Sequence, residues 1–359
     1  MIRSTLYLFF ILAFSVLPAY CQIDINDRKN PETDALNTSF ALFDNDKLLN
    51  VSLRFDLTSY LRKNLKDKSI PGVMNFHLSE TDTLNKKVTI KTRGIFRFEN
   101  CTFSPMELNF KKGIYAYADS GKVSKLKLVT HCESGNKYDE YVLREYLVYK
   151  LFNVLTDTSF RVRLLRVSYI DTQMKKKPII QYGFFIEPSG ILAARTNSNV
   201  VKMASLTQKH IFPEKMDRLA IFNYMIANYD WSVPGQHNVT VILPKNNSTS
   251  GLGVAVPYDF DLTGVVNADY AIPSDVTGLK TIRDRIFLGT CRDRMVYQKE
   301  LEFFLNRKEE LYRVVSDFPY LNQKSKKDIT NFLDEFFDQI AKQSSLDNLI
   351  STFISSCKN

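Results

Sequence analysis

The sequence predicts a mixed α+β protein, with a strand-rich first half built around one main helix and a helix-rich second half. Three observations predict it. Short segments in which apolar and polar residues alternate, the mark of half-buried strands, fall between residues 51 and 188. One run with helical spacing, 138–155, interrupts them. Beyond about residue 189 strands are few and long amphipathic stretches dominate. With 359 residues, 44% of them hydrophobic, the chain can bury a sizeable core, as two domains or one two-lobed domain. Only 13 Gly and 12 Pro, beside 24% charged residues, exclude a collagen-like or low-complexity chain and wholesale disorder. The formal net charge of +9 permits an anionic partner without naming one.

The start of the chain predicts its destination. Arg3 is followed by a short apolar run at 6–17 (LYLFFILAFSVL), then Pro18, Ala19, Tyr20 and Cys21, then a polar stretch from Gln22. This pattern is a secretory signal peptide over 1–21, with a polar arm at 22–50 behind it. The apolar run is too short to span a bilayer comfortably, and bulky Tyr20 argues against lipoprotein processing at Cys21. No later stretch approaches the length of a membrane helix. The mature chain is therefore expected to carry no transmembrane span and to be secreted, periplasmic or held at the cell surface. Cys21 leaves with the leader, and Cys101, Cys132, Cys291 and Cys357 permit two disulfides in three connectivities. Without a CxxC spacing they support a zinc site weakly. Glycosylation sequons at Asn37, Asn50, Asn100, Asn238, Asn246 and Asn247 matter only in a glycosylating host.

The elements follow in order. Residues 88–93 (VTIKTR) alternate until Gly94 breaks the strand; 106–110 (MELNF) and 125–130 (KLKLVT) alternate again. In the helix at 138–155, Leu143, Leu147, Leu151 and Val154 share a face. Strands at 161–170 and 179–187 come next, with Lys175, Lys176 and Lys177 as a charged turn between them, and residues 188–190 end the second. Pro213 opens a helix that runs to about Ala227. A loop then carries Asp230 to Asn238, and strands at 239–243 and 254–258 follow. The remainder reads as helices at 294–315, at 324–343 with a Ser325-x-x-Asp328 start signal, and at 346–356.

The chemistry concentrates at 223–264, NYMIANYDWSVPGQHNVTVILPKNNSTSGLGVAVPYDFDLTG. Asp230 follows a helix, Asn238 opens a strand, and Asp259 and Asp261 end the next strand at i and i+2, hence on one face. Three carboxylates and an amide oxygen form an all-oxygen donor set, which suits Mg²⁺ or Mn²⁺. Mg²⁺ keeps several waters and is usually shared with substrate phosphates, so few protein ligands suffice for phosphoryl transfer. In the kinase template a loop Asp orients or accepts the substrate hydroxyl proton, while an Asn a few residues on and a later strand-end Asp hold the metals. His237 reads as an orienting hydrogen-bond partner rather than a base, and Trp231 as packing beside the loop.

This order of residues resembles the CotH-type secreted kinases, an atypical branch of the protein-kinase-like fold. The resemblance rests on Asn228-Tyr229-Asp230-Trp231, His237-Asn238 and Pro257-Tyr258-Asp259-Phe260-Asp261. It extends upstream through Arg93-Gly94, Ser104-Pro105, Lys125-Leu126-Lys127-Leu128, Leu143-Arg144-Glu145 and the strand Gly183-Phe184-Phe185-Ile186-Glu187, covering roughly half the chain. It implies a two-lobed kinase-like fold, with an N-terminal lobe at 51–188 and a C-terminal lobe at 189–359. It implies transfer of a phosphoryl group from ATP to a protein or envelope-glycan acceptor. Asp230 would be the catalytic carboxylate. Asn238 and Asp259 would bind the nucleotide's metal, with Asp261 as a second ligand or support. Lys127 or Lys125 would hold nucleotide phosphate, and helical geometry favours Glu140 over Glu145 as the glutamate paired with that lysine. Arg93 and Arg97 would contact phosphate, and Glu187 would sit at the hinge. Two departures stand out: 91–100 (KTRGIFRFEN) has one glycine where a glycine-rich loop belongs, and Ser232 stands where the family often has Asp. They favour the alternative, a catalytically silent kinase-fold binding protein at the cell surface or in the periplasm. A metal-dependent hydrolase using Asp259 and Asp261 ranks last, because the chain has only four histidines. Nucleic acid is not expected as a partner, since no basic-aromatic module is present.

Overall fold

Alternation along the first half closes on itself. A computed structural model describes residues 42–62, 68–116, 122–202, 205–247 and 251–357. The predicted signal peptide at 1–21, Cys21, Asn37 and most of the predicted arm lie outside the described residues. β1 (Leu49–Phe55) starts within the stretch read as the arm. It is followed by α1 (Leu57–Leu61), β2 (Ser69–His77), β3 (Thr83–Thr92), α2 (Ile95–Asn100), β4 (Met106–Asn109), β5 (Tyr115–Ala116), β6 (Lys122–Val123), β7 (Lys125–Val129), α3 (Asn136–Leu155), β8 (Val162–Asp171) and β9 (Ile179–Ile186). Seven of these strands form a closed barrel in the order β1-β2-β3-β4-β7-β9-β8, while β5 and β6 pair apart. Closure comes from a parallel pairing of β1 with β8, in which Leu53 lies opposite Tyr169. Leu53, Phe55, Met74, Phe76, Leu108, Leu128, Leu165 and Phe185 fill the barrel core.

The second half contains α4 (Ser189–Arg195), β10 (Ser198–Val201), α5 (Pro213–Met225), β11 (Val239–Pro244), β12 (Val254–Pro257), α6 (Arg294–Asn306), α7 (Lys308–Ser316), α8 (Gln323–Ala341) and α9 (Gln343–Ser356). β10, β11 and β12 form a three-stranded sheet. The chain is thus mixed α+β with a strand-rich and a helix-rich part. α3 lies in the strand-rich half of the sequence, yet its side chains join the core of the helices. α8 buries Ile329, Phe332, Leu333, Phe336, Phe337 and Ile340 on one face, each contributing about 1.5–3 kcal/mol.

Two helix expectations are corrected, and one segment takes a form that the sequence does not signal. The helix at 294–315 breaks at Arg307 into α6 and α7. α8 is capped by Asn322, whose side chain accepts from the Ser325 backbone N–H, so Ser325 lies inside the helix instead of starting it. The segment after Gly94 coils into α2, and Gly94 enters it at φ +74°, a conformation that favours glycine.

The cysteines pair as Cys101–Cys132 and Cys291–Cys357. The first ties the end of α2 to the segment after β7, and the second ties the end of α9 to the chain just before α6. No helix among the described residues is long and apolar enough to cross a membrane.

Replacing Cys291 and Cys357 together by Ser should lower the unfolding free energy by up to about 4.4 kcal/mol, the loop-closure value for their sequence separation of 66. Urea denaturation under non-reducing conditions measures it, and an unchanged midpoint would refute the staple's role.

Candidate active site

The site starts from a turn that the end of α5 dictates. Ala227 takes φ +51°, and the buried Asn228 side chain donates to Asn223 Oδ1 at 2.9 Å while its own oxygen accepts from the Asp230 N–H at 3.0 Å. Ser232 and His237 exchange two backbone hydrogen bonds of 3.0 Å, which close the loop. Asp230 is held at both oxygens: His237 Nε2 stands 2.6 Å from Oδ1, and Asn238 Nδ2 donates to Oδ2 at 2.9 Å. The same Nδ2 donates to the Asp230 carbonyl at 2.8 Å. About a quarter of the Asp230 side chain remains exposed.

β11 and β12 carry the other two carboxylates to this point. Val239 lies opposite Pro257, and the Tyr258 N–H donates to the Asn238 carbonyl at 2.9 Å. Asn238 and Asp259 both take left-handed backbone, φ +52° and +65°, a region that Asn and Asp enter more readily than other side chains do. Tyr149, buried on α3, accepts the Asp259 N–H at 2.9 Å.

Behind Asp259 the site is buried and crowded with charge. Asp261 is buried, with Arg97 Nε 4.0 Å from its Oδ2. Burial and the charge of Asp259 push the Asp261 carboxyl up to about 7, against the opposing pull of Arg97. Glu145, buried on α3, is raised well above the usual carboxylate range by burial and by Asp261 and Asp259. Arg97 also donates to the Thr130 carbonyl. Arg93 lies in the same electrostatic field, where its charge acts on Lys127, Glu145 and Tyr258. Lys127 stands 4.8 Å over the Tyr258 ring. Its side chain reaches solvent from β7, yet partial desolvation and Arg93 lower its ammonium from the usual range, opposed by Asp259. Buried polar atoms without a hydrogen-bond partner gather here: Arg93 Nη1, Arg97 Nε and Glu145 Oε1.

The chain therefore brings Asp230, Asn238, Asp259, Asp261, Arg93 and Lys127 into one region. Two other predicted residues, Lys125 and Glu140, are engaged elsewhere. Lys125 lies 3.8 Å from Glu107 on an exposed surface. Glu140 pairs with Arg144 at 2.8 Å and accepts from Asn322 at 3.4 Å, and Glu145 is the α3 glutamate that meets the carboxylates. The apolar face used to choose between them does not discriminate, because α3 is buried on nearly every side. Glu187, at the end of β9, is clamped by Arg195 at 2.9 Å and accepts the Arg161 N–H at 3.1 Å. Tyr149 was not foreseen from sequence. Glu145 had a signal in Leu143-Arg144-Glu145.

No three His, Cys, Asp or Glu side chains among the described residues stand close enough to hold a cation by themselves. A site made of Asn238 Oδ1 and one or two Asp carboxylates fits a cation that takes its remaining ligands from phosphate and water. A cavity of about 950 Å³ lies apart, lined by Asp44, Lys150, Asn153, Arg161 and Arg195. Its charged groups pair with one another, Asp44 with Arg161 and Asp46 with Lys150.

Comparison with known proteins finds no matching family model and no matching curated protein. Among solved structures the chain is similar to the Helicobacter pylori proinflammatory kinase CtkA, with 11% identity over 69% of this chain and 91% of that one, at a TM-score of 0.37.

The raised Asp261 carboxyl has a stability consequence. Between the ordinary carboxylate range near pH 4 and about pH 7 the folded chain holds a proton that the unfolded chain has released, so this group's contribution falls as pH rises. Chelator-treated protein should lose thermal stability from pH 5.5 to pH 8, and Asp261→Asn should flatten that slope. An Asp261→Asn melting profile with the parent's slope would rule the assignment out.

Proposed function

We propose that the chain is an exported, kinase-like phosphotransferase that moves the γ-phosphoryl group of ATP to a hydroxyl of a protein or envelope glycan, with Mg²⁺ or Mn²⁺. The observation that carries this reading is the held carboxylate of Asp230 beside Asn238, Asp259 and Asp261, with Lys127 and Arg93 next to them. That combination supplies a base, cation ligands and phosphate-binding cations in the kinase order.

Asp230 is suited to the acceptor. Its two oxygens are fixed, it keeps an exposed edge, and it can take the hydroxyl proton as the acceptor oxygen bonds to the γ-phosphorus and the bond to ADP breaks. Lys127 and Arg93 would hold the phosphates, and Arg97 would balance Asp261 and Glu145. Asn238 Oδ1 and Asp259, with Asp261 in support, would hold the cation, which when bound neutralises phosphate charge. The two disulfides fit an oxidising destination.

The silent-binder reading has one specific observation in its favour. The segment between β3 and β4 is the short helix α2 instead of a glycine-rich loop, and its Arg97 already faces Asp261.

Incubation with γ-labelled ATP and Mn²⁺ tests the proposal. Label should pass to an acceptor or to the chain itself. Asp230→Asn should cut transfer by about 10²- to 10⁴-fold while the ATP-dependent thermal shift persists, and Asp259→Ala should remove both. A thermal shift without transfer would establish the binding protein, and the absence of both would overturn the nucleotide site altogether.

A further inference from the structure

The positive charge looks scattered along the sequence, but the barrel gathers part of it. β8 ends at Asp171, and the chain turns through 172–177 (TQMKKK) before β9. This turn is fixed. The Asp171 carboxylate accepts the backbone N–H groups of Gln173, Lys175 and Lys176 at 3.3, 3.0 and 3.2 Å. It also accepts from the Thr58 hydroxyl at 2.8 Å, and the Thr172 N–H donates to the Phe55 carbonyl at 2.9 Å. The turn is thereby pinned to the end of β1 and the start of α1, with Lys175, Lys176 and Lys177 exposed. Met174 stands at its tip with 91% of its surface exposed.

The neighbouring barrel wall extends this charge. Lys87 lies opposite Val73, Val73 opposite Arg54, and Arg54 opposite Ile170, and both cations are exposed. Ile180, 49% exposed, shares this outer face: it lies opposite Ser168, which lies opposite Ser52. None of Arg54, Lys87, Lys175, Lys176 and Lys177 forms an ion pair among the described residues. Of the acids at this end, Asp171 is occupied by the donors above, and Asp56 accepts from the Ser59 N–H and hydroxyl at 2.9 and 2.7 Å.

We propose that this end of the barrel docks on an anionic phospholipid surface, with Met174 entering the interface and the five cations on the headgroups. Charge complementarity names an anionic partner, and the apolar tip among the lysines narrows it to a bilayer. Each cation near such a surface adds attraction that salt screens, and an exposed apolar side chain adds burial that a soluble polyanion does not offer. Lysine stems can lie along the interface while their ammonium groups stay at headgroup level. No exposed aromatic side chain lies among these residues to stack nucleic-acid bases.

Co-sedimentation of the mature chain with vesicles tests the proposal. Vesicles of equal parts phosphatidylglycerol and phosphatidylcholine should retain the protein, pure phosphatidylcholine should not, and high salt should release it. Changing Lys175, Lys176 and Lys177 together to Gln should weaken retention by at least about tenfold. Met174→Ser, which leaves the charge intact, should weaken it severalfold, and both variants should melt with the parent. No retention on the mixed vesicles, or retention that the triple variant keeps, would overturn the proposal. Retention that Met174→Ser leaves unchanged, matched by equally tight capture on dextran sulfate, would also overturn it in favour of an acidic glycan.

Discussion

Glu145, Asp259 and Asp261 share one electrostatic field in a largely buried region, and the rest of the site depends on how that field is balanced. Burying like charges is costly unless cations and hydrogen bonds compensate. Arg97 and Arg93 supply the cations, but Arg97 is itself buried and has to be held. It is held by the Thr130 carbonyl and by its place in α2, whose end Cys101 fixes to Cys132. A covalent link in the barrel part thus supports an electrostatic balance that the helix-rich part requires. The barrel brings Arg93, Arg97 and Lys127, the β11–β12 hairpin brings Asp259, and α3 passes between them with Glu145 and Tyr149. Compensation is incomplete, since Arg93 Nη1, Arg97 Nε and Glu145 Oε1 keep buried polar capacity unspent. Unsatisfied buried groups of this kind are few in folded proteins.

The same region concentrates unusual backbone. Ala227, Asn238 and Asp259 all take positive φ, and such residues cost of order 1–3 kcal/mol each. The surrounding bonds over-determine them. Asn223 holds Asn228, Asn228 holds Asp230, Asn238 grips Asp230 twice, and Tyr149 grips Asp259. A carboxylate fixed in this way has little conformational freedom left to lose.

How much of this is legible in the sequence follows from how local each signal is. The helix from Pro213 and the strands at 239 and 254 carry their own periodicity, and Asp230, Asn238 and Asp259 follow from their positions at the ends of those elements. The choice between Glu140 and Glu145 does not follow. α3 is enclosed on nearly all sides, so no apolar stripe points away from solvent and no polar face points toward the site. α2 escapes because six residues of IFRFEN have neither strand alternation nor a full helical period. Barrel closure escapes for another reason. The pairing of β1 with β8 is parallel and joins strands more than a hundred residues apart, and nothing in LNVSLRF or VRLLRVSYID marks them as partners.

Net charge shows the same division between composition and topology. A total of +9 says nothing about where unpaired cations lie, because pairing is decided by the fold. In the site, Arg97 faces Asp261, and Lys127 lies in the field of Asp259. On the outer wall at β1, the register places Arg54 opposite Val73 and Ile170, and Lys87 opposite Val73. In the closed order β1-β2-β3-β4-β7-β9-β8, β1 lies four steps from β7 in one direction and three in the other. The wall bearing Arg54 is therefore nearly diametrically opposed to the wall bearing Lys127.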